Sequence, residues 1–152
     1  MAIRQIGLLI FLVAMLGACG KTPVQLVTDE EANLGPFQGG KKSLATERGP
    51  VIEIYSPAAD QVYRKPFPID VEFKPSPDGH PPVMDSLKLT YQKYWGVDIT
   101  DRVKPYIKGN KIAVPDADLP NGEHSIEIAI EDSQGNESTK VFRLEVRMDK
   151  SA

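Results

Sequence analysis

Few residues in this chain are able to carry chemistry. One of its 152 residues is cysteine and two are histidine. His80 stands in the loop Pro77-Asp78-Gly79-His80-Pro81-Pro82, with Asp78 near enough in sequence to orient an imidazole base. No activated nucleophile or second metal ligand accompanies it, so it reads as a solvated loop imidazole. His124 precedes Ser125, but neighbours on one strand point to opposite faces and form no dyad. Enzymatic activity is therefore not expected. The carboxylates offer a second chemistry. Asp98 and Asp101, and Asp116 and Asp118, fall near expected strand ends, where loops of a β-sandwich converge. Calcium takes about six to eight oxygens, and neither pair has ligands at every second position with a closing Glu. No metal or other cofactor is expected, and these four residues stay calcium candidates only. The third chemistry is stacking. Tyr94 and Trp95 join flat apolar area to a polar tip, which suits a sugar ring or a pocket on a partner. The competing expectation is that Trp95 folds over the open end of the domain as a lid.

Cys19 belongs to a different kind of chemistry. Arg4 opens a short basic start, Ile6 to Leu16 is an apolar run, and Leu16-Gly17-Ala18-Cys19 follows. A charged segment, a hydrophobic segment and small residues before a cut form a secretory signal. The run is too short for a retained span, which needs about 20 residues. Leu16 to Cys19 also resembles the bacterial lipobox. That resemblance implies cleavage before Cys19, a diacylglycerol on its thiol and an acyl chain on the new amino terminus. Several chains anchor stably where one is marginal. Gly20 in the following position is similar to the outer-membrane sorting class, which implies an outer-membrane lipoprotein facing the periplasm. With Cys19 as the only cysteine, no disulfide forms within the chain and the core alone must hold the fold.

Removing residues 1–18 takes away Arg4 and no acid, leaving a net charge of −4 spread along the chain. No basic stripe points to nucleic acid. Residues 19–49 read as a lipidated flexible linker, rich in Gly, Lys, Thr, Glu and Gln, with Gly35-Pro36 and Gly39-Gly40 breaking any period. Such a coil spans on the order of 30 Å on average. Drawn out, it reaches roughly 100 Å. The alternative is an arm packed on the domain through Leu26 or Phe37.

From Pro50 the pattern changes to short alternating runs. Val51–Tyr55 is a first strand. Phe67, Ile69, Val71 and Phe73 mark a second, and Leu87, Leu89 and Tyr91 a third with an inward Tyr91. Lys111–Val114 is a short fourth, Ser125–Glu131 a fifth, and Phe142, Leu144 and Val146 mark a sixth. Ile99–Tyr106 has room for one helical turn. Pro68 and Lys140 look like devices that shield edge strands. Short strands with regular turn signals predict an all-β, antiparallel immunoglobulin-like sandwich of about seven strands over residues 50–148, with 149–152 a tail. A barrel is the alternative.

The run Leu119, Pro120-Asn121-Gly122, His124, Ile126, Ile128, Ile130 and Asp132-Ser133-Gln134-Gly135-Asn136 resembles the last strands of bacterial immunoglobulin-like and fibronectin type III-like domains. The resemblance implies that His124 stands where these sandwiches place a corner tyrosine and bonds to backbone through its ring N–H. Pro120-Asn121-Gly122 and Gly135 supply the turns. There is no core cysteine pair, and Trp95 falls beyond the third strand. The whole reads as a lipid-anchored binding or assembly module of the cell envelope, attached to the membrane by its lipid and meeting an envelope protein or glycan. A calcium-dependent or carbohydrate-binding adhesion module, and a structural accessory subunit of an envelope complex, are the alternatives.

Overall fold

The computed structural model describes residues 21–39 and 48–148. The signal segment 1–18, Cys19 and the tail 149–152 lie outside the described residues. None of the described helices is long and apolar enough to cross a membrane.

In chain order the elements are β1 (Val24–Gln25), α1 (Asp29–Ala32), β2 (Val51–Ser56), β3 (Val62–Arg64), β4 (Phe67–Lys74), β5 (Pro82–Tyr91), β6 (Val97–Asp98), α2 (Thr100–Val103), a 3-10 turn (Lys104–Tyr106), β7 (Ile107–Lys108), β8 (Lys111–Asp118), β9 (Gly122–Asp132) and β10 (Glu137–Arg147). One sheet runs β1-β8-β4-β2, with β7 also paired to β8; the other runs β3-β10-β9-β5-β6. The result is an immunoglobulin-like, two-sheet β-sandwich. Its six long strands are the six that alternation marks. On β4, Phe67, Ile69, Val71 and Phe73 face inward and their neighbours outward. On β9 the same period turns Ile126, Ile128 and Ile130 into the core, where Phe142, Leu144 and Val146 of β10 are also buried, Phe142 directly across from Ile126. Burial of these rows is the main favourable term holding the sheets together.

Residues 24–32, expected in the linker, are instead part of the domain. β1 pairs in parallel with the end of β8, Val24 beside Ala117 and Gln25 beside Asp118. Leu26 and Val27 then enter the core and are fully buried. Both apolar side chains are adjacent, so no period announces them, yet the end of the sandwich gives them a place out of water. Thr28 caps α1: Glu31 N–H donates to its Oγ1, and Thr28 N–H donates to Glu31 Oε2 at 2.9 Å. Arg102 of α2 closes the strap. Its guanidinium donates to both Glu31 carboxylate oxygens, at 2.6 and 2.7 Å, and to Leu26 O at 2.6 Å. That arginine holds the Glu31 carboxyl below its usual range against the opposing effect of burial.

Pro68 and Lys140 are the two residues expected at edges. Pro68 lies on β4, beyond the stretch Asp70–Lys74 that β2 covers. The register against β8 also shifts between Phe67 and Ile69, so the missing N–H falls at an irregularity in the ladder. Among the described residues Lys140 does stand at an edge, because β3 covers only Glu145–Arg147 of β10. Its Nζ donates to Ile52 O on β2, 3.0 Å away, tying one sheet to the other. At the far hairpin, Gly135 has φ +81° and Asp132 is buried. Burial alone would raise the Asp132 carboxyl, but bonds from the Asn136 side chain and the Asn136 and Gln134 N–H groups outweigh it and bring it to about 2.

Leu26→Ala is expected to destabilise the domain by about 2–5 kcal/mol in urea titrations, the cost of truncating a buried leucine. A variant as stable as the parent would mean that residues 24–32 contribute nothing to the fold.

Candidate functional site

The hairpin between β5 and β6 projects the aromatic pair. Tyr91, the last residue of β5, is buried and pairs with Val97, leaving Gln92–Gly96 as the connecting loop. The loop is fixed from beneath: Gln92 N–H donates to Ser125 O at 2.8 Å, and Ser125 Oγ donates to Gln92 Oε1 at 2.7 Å. Gly96 has φ +93°, and a Cβ there would come within 2.8 Å of Thr90 Cγ2, so only glycine fits the turn. Tyr94 adopts φ +52° without that freedom, at a cost of about 1–2 kcal/mol. The strap stabilises it there. Tyr94 N–H donates to Gly35 O at 3.0 Å, and Gln38 N–H donates to Tyr94 O at 2.6 Å. The conformation turns both rings outward. Tyr94 is 51% exposed and Trp95 70%, packed edge to face with centroids 5.7 Å apart. Phe37, 39% exposed, approaches Gly96 from the strap. Trp95 is therefore no lid over the core; Leu26 and Val27 help fill that end instead.

Beside this tip lies a groove of about 420 Å3 on the outer side of the β9–β10 sheet. Phe37, Gln61, Lys93, Glu123, Arg143 and Glu145 are among its walls, mixing charges of both signs with one aromatic face. Beneath the groove the corner expected at His124 is present. The Pro120 carbonyl only accepts, so Nε2 carries the proton and donates to it at 2.7 Å. Nδ1 is then the acceptor for the Tyr91 hydroxyl at 3.0 Å. Burial lowers the His124 pKa, aided by Lys93 and opposed by the Pro120 carbonyl. Burial and the nearby Glu31 charge push Tyr91 up to about 12. Both rings are neutral at physiological pH and bonded to each other and to backbone. Ser125 faces the other way, as alternation requires.

The remaining candidates are dispersed and engaged. Asp98 Oδ1 accepts from Thr100 N–H at 2.9 Å, and the Thr100 side chain together with that N–H lowers its pKa. Asp101 pairs with Lys104 at 2.5 Å on α2, and Asp118 with Lys65 at 3.1 Å on the opposite sheet. Asp116 is half-buried on β8. Among the described residues no three His, Cys, Asp or Glu side chains are grouped to hold a metal. His80 braces its own loop: its N–H donates to Ser76 Oγ, and its carbonyl accepts from Ser76 N–H. The Glu31–Arg102 clamp has half a signal in the sequence, since Thr28 followed three residues later by Glu31 is a capping-box pattern.

No protein-family profile matches the chain, and no curated protein does. Among solved structures it is similar to CopC from Methylosinus trichosporium OB3b, with 13% identity and a TM-score of 0.45 over 69% of this chain and 98% of that one. It is also similar to the endo-beta-1,4-mannanase from Thermotoga petrophila, with 13% identity and a TM-score of 0.47 over 67% of this chain and 20% of that one. The chain thus spans about a fifth of the mannanase.

Because His124 is more readily protonated when unfolded, stability is full above its ordinary pKa of about 6.5 and is lost as the pH falls below that towards the lower folded value. His124→Gln is expected to lose this dependence between pH 7 and 5 in urea midpoints, although its stability at pH 7 is lower. An unchanged slope would place the titration elsewhere.

Proposed function

We propose that this protein is a lipid-anchored, non-catalytic binding module of the cell envelope, held by acyl chains on Cys19 and making contact through Tyr94 and Trp95. The observation that carries the contact surface is the strained, strap-braced turn that exposes both rings. Energy spent on exposing large aromatic side chains is recovered when a partner covers them. The anchor rests on the sequence around Cys19: a basic start, an apolar run and Leu16-Gly17-Ala18. Placement at an outer membrane, facing the periplasm, is supported by the resemblance of Gly20 to the outer-membrane sorting class of cells with two membranes. Absence of catalysis is favoured by the neutral, internally bonded state of His124 and Tyr91.

A glycan-binding reading draws on the groove, where Gln61, Gln92 and Arg143 stand beside the Phe37 ring. Hydroxyl-rich ligands take such amide and guanidinium donors together with an aromatic face. The calcium-dependent version has less support, since Asp98, Asp101 and Asp118 already have partners of their own.

Cys19→Ser is expected to abolish labelling by radioactive palmitate and to release the protein from the membrane fraction of its own cells. Wild-type protein without label, or a variant that fractionates with the membrane unchanged, overturns the anchor.

A further inference from the structure

The strap sets how far the domain stands from its attachment. Cys19 is five residues before Val24, and Val24 is already paired with β8. Five extended residues reach about 17 Å at most. A globule of roughly this size has a radius of gyration near 13 Å, so the anchored end stays within about one domain radius of the bilayer. The strap also begins and finishes at one end of the sandwich. β1 lies against Ala117 and Asp118, the last residues of β8, while Gly35 and Gln38 bond to Tyr94 in the β5–β6 loop. The end that receives the anchor is therefore the end that exposes Phe37, Tyr94 and Trp95.

The tip has the composition of an interfacial surface. Gln92–Gly96 and Gly35–Gln38 contain three aromatic residues, one lysine and no acid. Tyrosine and tryptophan settle at the boundary between headgroups and hydrocarbon, where a flat apolar ring and a polar tip are both satisfied. A lysine at such a boundary is attracted to headgroup phosphate. We infer that Phe37, Tyr94 and Trp95 form a membrane-interface docking surface, kept beside the bilayer by the short anchor. This rests on the acylation of Cys19 proposed above. It names the partner of the aromatic tip as the lipid surface.

Trp95 is the only tryptophan, so its emission reports on the tip alone. Intact protein extracted from membranes is first weighed by mass spectrometry; a mass without acyl chains overturns the anchor reading, separately from docking. The acylated protein is then reconstituted into phosphatidylethanolamine and phosphatidylglycerol vesicles containing lipids brominated near the headgroup. Trp95 emission is expected to move to shorter wavelength and to be quenched at least twofold. Acylated protein whose Trp95 stays unquenched overturns docking and leaves the anchor standing. Trp95 that is unquenched in vesicles but shielded in native membranes overturns it as well, in favour of a protein or glycan partner. A twenty-residue Gly-Ser spacer inserted between Lys21 and Thr22 is expected to reduce the quenching at least by half. A spacer variant quenched as fully as the parent overturns the role given to the short anchor.

Discussion

The structure depends on closure of one end of the sandwich by Leu26 and Val27. Two facing sheets bury their rows of isoleucine, valine and phenylalanine but leave the ends of those rows open to water. Here the strap between Lys21 and Gln38 crosses one such end. It pairs with one sheet through Val24 and Gln25, and with the hairpin of the other through Gly35 and Gln38. Apolar burial supplies the drive, whereas Arg102 supplies the geometry by gripping Glu31 and the Leu26 carbonyl together. A partly exposed ion pair stabilises little by itself. Its effect lies in fixing where the strap turns, and hence where Tyr94 finds its backbone partners.

A second constraint works beneath the tip. Burying a tyrosine and a histidine is costly unless every polar atom is paired. The Tyr91 hydroxyl, both His124 nitrogens and the Pro120 carbonyl satisfy one another in a chain. The same chain joins β5, β9 and the β8–β9 turn, so the hairpin carrying Tyr94 and Trp95 stands on a rigid base. Strain at Tyr94 is sustained because the residues around it are fixed from two sides, by this polar chain below and the strap beside it.

Much of this was legible in the residues, for physical reasons that differ by element. The six long strands announce themselves because a period of two persists over enough positions to be seen, as at Phe67 to Phe73 and Ser125 to Glu131. The His124 corner was legible through the resemblance to immunoglobulin-like strands, with the Gly122 turn and the alternation that follows fixing its position. β1, β3, β6 and β7 span two or three residues, too few to show any period, and they exist only because a longer strand offers a ladder. The strap was hidden for the same reason. Its turn is fixed by Arg102, 71 residues away from Glu31, and no local pattern joins the two. The aromatic pair was visible in the sequence, but its direction was not. That depends on the positive φ of Tyr94, which Gly35 and Gln38 impose from outside the hairpin.

Lys140 has a further consequence for crowding. Among the described residues β2 is the outer strand of its sheet, and such a strand presents backbone groups that a strand from another molecule would extend. By filling the Ile52 carbonyl from the opposite sheet, one flexible amine withdraws an acceptor from that template and sets a positive charge in the path of the incoming chain. Copies gathered at high density thus meet at an electrostatically defended seam, and stacking into fibrils is disfavoured where it would otherwise be easiest.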